Sequence, residues 1–202
     1  GKMFHVPDGA WTAEERKTAL DEITAHDRIR LYDSFGVCEW DTVKANIEYM
    51  HHADGIEIFY IDHLTALATG QGTDERVELE RVTAAIAMLA KRLNVIITMV
   101  SHLATPEGKP HEEGGRVTIR HFKGSRAIGF WCHFMFGLER NQQAEDLNER
   151  QTTTFRILKD RYTGQSTGVT IPLNYNHETG KLFQANPFDV APALVGGYDT
   201  PF

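Results

Sequence analysis

The sequence predicts an α/β domain in which helices flank a mostly parallel sheet, with antiparallel hairpin strands added toward the C-terminal end. Three observations carry this. Apolar runs of strand length, 56–63 and 95–100, alternate with segments of helical periodicity, which implies parallel strands joined by helical crossovers. Both runs end in polar residues, Asp62-His63 and Ser101-His102, at the strand ends where open α/β sheets bind ligands. After about residue 134 the pattern changes to short strands with Gly-rich or polar connections, as in hairpins.

In chain order, Thr12-Ala13-Glu14-Glu15 is a capping box that starts a helix running to about His26. Residues 29–32 read as a short strand, followed by Asp33-Ser34. Asp41 can cap a second helix, with Val43, Ile47 and Met50 on one face. The run 56–63, bounded by Gly55, is apolar enough to be a strand buried on both faces. Thr73-Asp74 opens a longer helix in which Val82, Ile86, Leu89 and Leu93 repeat at helical spacing, and Asn94 closes it. A second buried strand, 95–100, follows. Residues 103–122 form a long Gly- and Pro-rich connection, and loops of this length are commonly functional. Segments 134–138, 153–158 and 169–173 read as strands. From 187 onward Pro, Gly and Ala dominate without Lys or Arg, so residues 1–186 are expected to form the domain and 187–202 a flexible tail.

A length of 202 residues suits one domain with a real core. With 41% hydrophobic and 24% charged residues, the composition is that of a soluble globular chain. A formal net charge of -7 argues against a surface coated for nucleic acid, yet leaves room for a local basic loop. Cys38 and Cys132 form no C-x-x-C pair, which fits a reducing cytoplasm and neither a disulfide framework nor a zinc site. The ten histidines include no H-E-x-x-H spacing. The sequence shows no signal peptide and no apolar run of about 18 residues, so no membrane partner is expected.

Asp62 occupies the position of a Walker B aspartate, which helps hold magnesium on nucleotide phosphates; the plain alternative is an Asp capping a turn. No G-x-x-x-x-G-K-[ST] phosphate loop occurs in the 202 residues. If the two strands are neighbours, His102 lies beside Asp62, where its imidazole can hydrogen-bond a terminal phosphate. Between Ser101 and Arg126, five basic residues (Lys109, Arg116, Arg120, Lys123, Arg126) face three acidic ones. Such an excess suits contacts to a phosphate backbone, and equally a solvated loop. Lys159 and Arg161 fall on one face, about 6.5 to 7 Å apart along an extended chain, and two such cations suit a transferring phosphoryl group. A salt-bridged surface strand explains them as well. Tyr175, at the entry of a turn, can stack on a purine or simply pack.

Read in order, Leu31-Tyr32-Asp33-Ser34-Phe35, Tyr60-Ile61-Asp62-His63, Ser101-His102-Leu103, His111-Glu112-Glu113-Gly114, Lys123-Gly124-Ser125, Leu138-Glu139-Arg140-Asn141-Gln142-Gln143, 157–164 and Tyr175-Asn176-x-Glu178-Thr179-Gly180 resemble the helicase half of the T-odd bacteriophage primase-helicases. These are DnaB-type ring helicases, similar also to the mitochondrial helicase Twinkle. The resemblance runs from about residue 30 to 183 and implies a RecA-like fold. It further implies a homo-hexameric ring around single-stranded DNA, with ATP or dTTP and magnesium at each subunit interface. Under it, Asp62 is the Walker B residue and His102 the γ-phosphate sensor. Arg161, with Lys159 beside it, is the finger reaching a neighbouring site. Arg140 and Tyr175 sandwich the base, and Lys109 is a DNA-loop lysine, with Arg116, Lys123 and Arg126 as further DNA contacts.

The sequence departs from the family at Ala104, where Lys is usual, and after Ser125, where the family tends to end in Arg-Gln. These changes bear on DNA affinity more than on nucleotide contacts. The family's phosphate loop and catalytic glutamate lie upstream of the first matched segment, so the 202 residues alone are not expected to hydrolyse ATP usefully. The acidic end, Asp199-Thr200-Pro201-Phe202, is like tails that dock a replicative DNA polymerase. Two readings stay open beside the helicase: a non-catalytic DNA- or partner-binding piece, and a RecA/KaiC-type ATPase without unwinding.

Overall fold

The computed structural model describes residues 11–25, 28–32, 38–68, 74–176 and 179–185. The expected Asp33-Ser34, Thr73, Glu178 and the tail 187–202 lie outside them. Thr12 caps α1 (Ala13–Thr24) as predicted: its hydroxyl accepts from the Glu15 amide while the Glu15 carboxylate accepts from the Thr12 amide. None of α1 is buried. Residues 29–32 are not a strand. Leu31 is 90% exposed and the segment is held by an Arg30–Asp54 ion pair at 3.1 Å. A strand needs a paired neighbour to satisfy its backbone, and none lies beside it among the described residues.

In α2 (Trp40–Asp54) the N-cap position is Glu39, whose side chain makes no capping hydrogen bond, and Asp41 sits in the first turn instead. It buries Trp40 and Ile47, with Val43 and Met50 packed against them. Gly55 ends it at φ 69°, a left-handed conformation glycine adopts without a Cβ penalty. β1 (Ile58–Ile61) and β2 (Ile96–Met99) pair in parallel, Ile58 opposite Ile96 and Ile61 opposite Met99. α3 (Glu75–Leu93) connects them. The Asp74 carboxylate caps its first turn and Asn94 closes it at φ 56°. Leu79, Val82, Ile86 and Leu89 are buried together with Phe59 and α2, each burial contributing about 1.5–3 kcal/mol.

The expectation of strands buried on both faces fails. Ile58, Tyr60, Ile96 and Val100 are half-exposed or more, because helices cover one face only among the described residues. The later strands are longer than predicted and form their own hydrogen-bonded sheet, not an extension of the parallel pair. β3 (Phe134–Arg140), β4 (Thr152–Asp160), β5 (Thr170–Asn176) and β6 (Lys181–Gln184) run antiparallel in that order. Two short helices went unread in the sequence, α4 (Ser125–Trp131) and α5 (Leu147–Gln151).

Candidate functional site

Parallel register sets Asp62 and His102 at adjacent strand ends. The Val100 amide donates to Ile61 and the Leu64 amide to Val100, both at 2.9 Å, so the two exits are tied together. Asp62 is exposed, and its peptide bond to His63 is cis. His63 turns back over the sheet end, its ring 4.1 Å from that of His102. Its Nδ1 caps the 3-10 turn Leu64–Leu67 by accepting from the Ala66 amide. The buried Thr65 reaches both rings, with Oγ1 2.6 Å from His63 Nδ1 and 3.4 Å from His102 Nδ1.

The connection 103–122 is tethered at both arms rather than structureless. Leu103 bridges Phe122 at its stem. Farther out, the Gly115 amide donates to Pro110 at 2.9 Å, folding Lys109 back toward Arg116. Gly114, at φ 82°, presses against Asn141, where a Cβ would meet the Asn141 Cβ at 2.9 Å. The Gln142 amide donates to Glu112, and the Val117 amide to the Glu139 carboxylate at 2.9 Å. The loop is thereby pinned to β3, the strand that carries Arg140. Lys109, Arg116, Lys123 and Arg126 are all exposed.

Glu139 and Arg156 form a mostly buried, bidentate pair at 2.7 and 2.9 Å. Burial pushes the Glu139 carboxyl up, but hydrogen bonds from Arg156 and Val117, with the charges of Arg156 and Arg116, hold it below its ordinary value. Nothing in the sequence alone joins Glu139 to Arg156. The available signal was the alternation Met135, Gly137, Glu139, which sends a carboxylate to a covered face where it requires a partner.

Lys159 and Asp160 lie within β4, not after it. Lys159 donates to the Gly129 and Cys132 carbonyls at 2.5 and 2.8 Å, and Arg161 to the Phe130 carbonyl at 3.2 Å. Both cations therefore converge on the C-terminal end of α4, where such carbonyls favour positive charge. Burial and the neighbouring Arg161 push the Lys159 amine down, and burial pushes the Cys132 thiol up. Asp160 organises the following turn, accepting from the Thr163 hydroxyl and amide, the Ser166 hydroxyl and the Tyr162 amide. Those bonds, Thr163 foremost, hold its carboxyl well below the usual carboxylate range.

Arg140 pairs with Thr153, and Thr153 with Leu173, so Tyr175, two residues on from Leu173, shares a sheet face with Arg140. They stand two strands apart, about 9.5 Å across the sheet and about 6.5 to 7 Å along it. The Arg140 guanidinium is exposed, with Nε donating to the Arg150 carbonyl at 2.8 Å. The candidate residues thus fall into four places: the parallel strand ends, the connection 103–122 with the start of α4, the end of α4, and the Arg140–Tyr175 face.

Compared with known proteins, the chain is 36% identical over 164 residues to the DNA helicase/primase of Enterobacteria phage T3, covering 80% of this chain and 28% of that protein. It therefore spans less than a third of that relative. No protein-family profile matches it. In fold it is similar to a solved ATPase domain, with a TM-score of 0.70 and 17% identity over 89% of this chain and 62% of that one. A DnaB-like replicative helicase, described with its interactions with primase, gives a TM-score of 0.66 and 16% identity over 88% and 43%.

Proposed function

We propose that this chain is the C-terminal part of a replicative, ATP-dependent DNA helicase motor of the DnaB-like kind, a reading supported by its likeness to a phage DNA helicase/primase and, in fold, to an ATPase domain and a DnaB-like replicative helicase. The observation that carries the reading is the tie between the strand ends, which brings His102 against His63 beside Asp62.

Asp62 suits a magnesium held through water and nucleotide phosphates. It is exposed at a strand end, and among the described residues no group of three or more His, Cys, Asp or Glu could cage a metal ion. Bound there, magnesium with ATP or dTTP supplies the γ-phosphoryl group and neutralises its charge. His102 hydrogen-bonds the terminal phosphate. Arg161, with Lys159, leaves the carbonyls of α4 to reach the neighbouring subunit's nucleotide in a hexameric ring, while Arg140 and Tyr175 hold the base. Lys109, Arg116, Lys123 and Arg126 contact single-stranded DNA, and the tail 187–202 binds a replicative DNA polymerase.

The 202 residues hold no phosphate-loop motif, so the chain alone is expected to release no phosphate from ATP above background. Joined to the phosphate-loop half of a related helicase/primase, it is expected to hydrolyse ATP under stimulation by single-stranded DNA. Asp62→Asn should then lower turnover by about 100-fold or more. DNA-stimulated hydrolysis by the isolated chain, or full turnover in Asp62→Asn, would contradict the assignment.

A further inference from the structure

We propose that Thr65 is a positioning residue for the phosphate sensor: its buried hydroxyl fixes the proton of the resting His102 ring on Nδ1, so that Nε2 reads a phosphate only after it has gained a proton. The purpose assigned to the device rests on the reading of His102 as a sensor; the hydrogen-bond pattern does not. The direction of each bond follows from one backbone amide. The Ala66 N–H is shared between the His63 carbonyl at 3.1 Å and His63 Nδ1 at 3.2 Å; a proton on Nδ1 would face that N–H, so the nitrogen is an acceptor and the neutral His63 ring carries its proton on Nε2. The Thr65 hydroxyl, 2.6 Å from the same nitrogen, has one proton and gives it to His63. Its oxygen then accepts from His102 Nδ1, the longer contact at 3.4 Å.

Thr65 can hold two rings in register because it is itself held. It is 5% exposed, lies in the 3-10 turn Leu64–Leu67 between buried Leu64 and Leu67, and follows an amide tied to Val100 on the sensor strand. A β-branched side chain so confined has little freedom to turn. With Nδ1 engaged, a phosphate oxygen that needs an N–H from Nε2 must either bring a proton or turn the Thr65 hydroxyl from His63 to His102. The hydroxyl thus links the residue following Asp62 to the sensor, so that a change at one strand end is felt at the other.

Long-range nitrogen–proton correlation spectra of isotope-labelled histidine, recorded on the whole chain above the pH range where imidazoles protonate, test this directly. Wild type is expected to show His63 protonated at Nε2 and His102 at Nδ1. Thr65→Ser should keep that pattern, and Thr65→Val, which removes the hydroxyl with little change of shape, should move His102 to the Nε2–H form. A His102 already protonated at Nε2 in wild type overturns the proposal whether or not Thr65→Val folds, as does an unchanged tautomer in a folded Thr65→Val. Adding magnesium and inorganic pyrophosphate to the chain joined to the phosphate-loop half of a related helicase/primase separates the two claims. If the expected tautomer pattern holds but pyrophosphate moves no His102 resonance in any form, Thr65 keeps its positioning role and the sensor reading fails.

Discussion

Glu139 illustrates how one side chain can hold a long connection in place. Its carboxylate takes both the Arg156 guanidinium and the Val117 amide, so it fastens the basic connection 103–122 to the antiparallel sheet. Removing it strands a mostly buried cation, and Glu139→Ala is expected to cost about 3–5 kcal/mol in denaturant unfolding. The pair also sets an acid limit. Because the folded carboxyl lies below its ordinary 4.5, its stabilisation is full above that pH and is lost as pH falls through the folded value. Melting temperatures followed downward from pH 4.5 should fall more steeply in wild type than in Glu139→Gln; parallel curves would remove the claim. The pair was hidden in the sequence because nothing local to Glu139 names a partner on another strand. Asp62 and His102 were legible because each closes an apolar run whose neighbour could be inferred from the intervening helix.

Among elements, α3 could be read almost residue by residue: Asp74 and Asn94 punctuate it, and its apolar spacing is the face it buries. Residues 29–32 were misread because β-prone side chains do not make a strand without a partner. The open faces of β1 and β2 were misread because an apolar run reports hydrophobicity, not which layers cover it. The helix α4 escaped notice for its brevity, yet its entry is tightly specified. Gly124 sits at φ 72°, and a Cβ there would lie 3.2 Å from the Leu79 Cβ. Gly124→Ala is therefore expected to destabilise the chain by about 1–2 kcal/mol and to displace the end of α4 that holds Lys159 and Arg161; an unchanged urea midpoint would contradict this. In the turn after β4, Asp160→Asn should speed hydrogen exchange at the Tyr162 and Thr163 amides, which donate to its carboxylate. Unaltered exchange there would show that the turn stands without it.

For the molecule as a whole, the two sheets leave edge strands at β1, β2, β3 and β6 among the described residues, and Tyr60, Phe136 and Leu138 are 79%, 45% and 63% exposed. Open edges and apolar faces promote association. Sedimentation at rising concentration is expected to show self-association that Phe136→Lys with Leu138→Lys reduces. The central claim is that Asp62 and Arg161 serve one nucleotide from two subunits. It is tested most directly by mixing Asp62→Asn and Arg161→Ala forms of the chain joined to a related phosphate-loop half, and measuring DNA-stimulated phosphate release. Each form alone should be nearly inactive, and the mixture should recover part of the wild-type rate, since some interfaces then pair an intact Asp62 with an intact Arg161. A mixture no more active than its components, or full activity in Arg161→Ala alone, would contradict it.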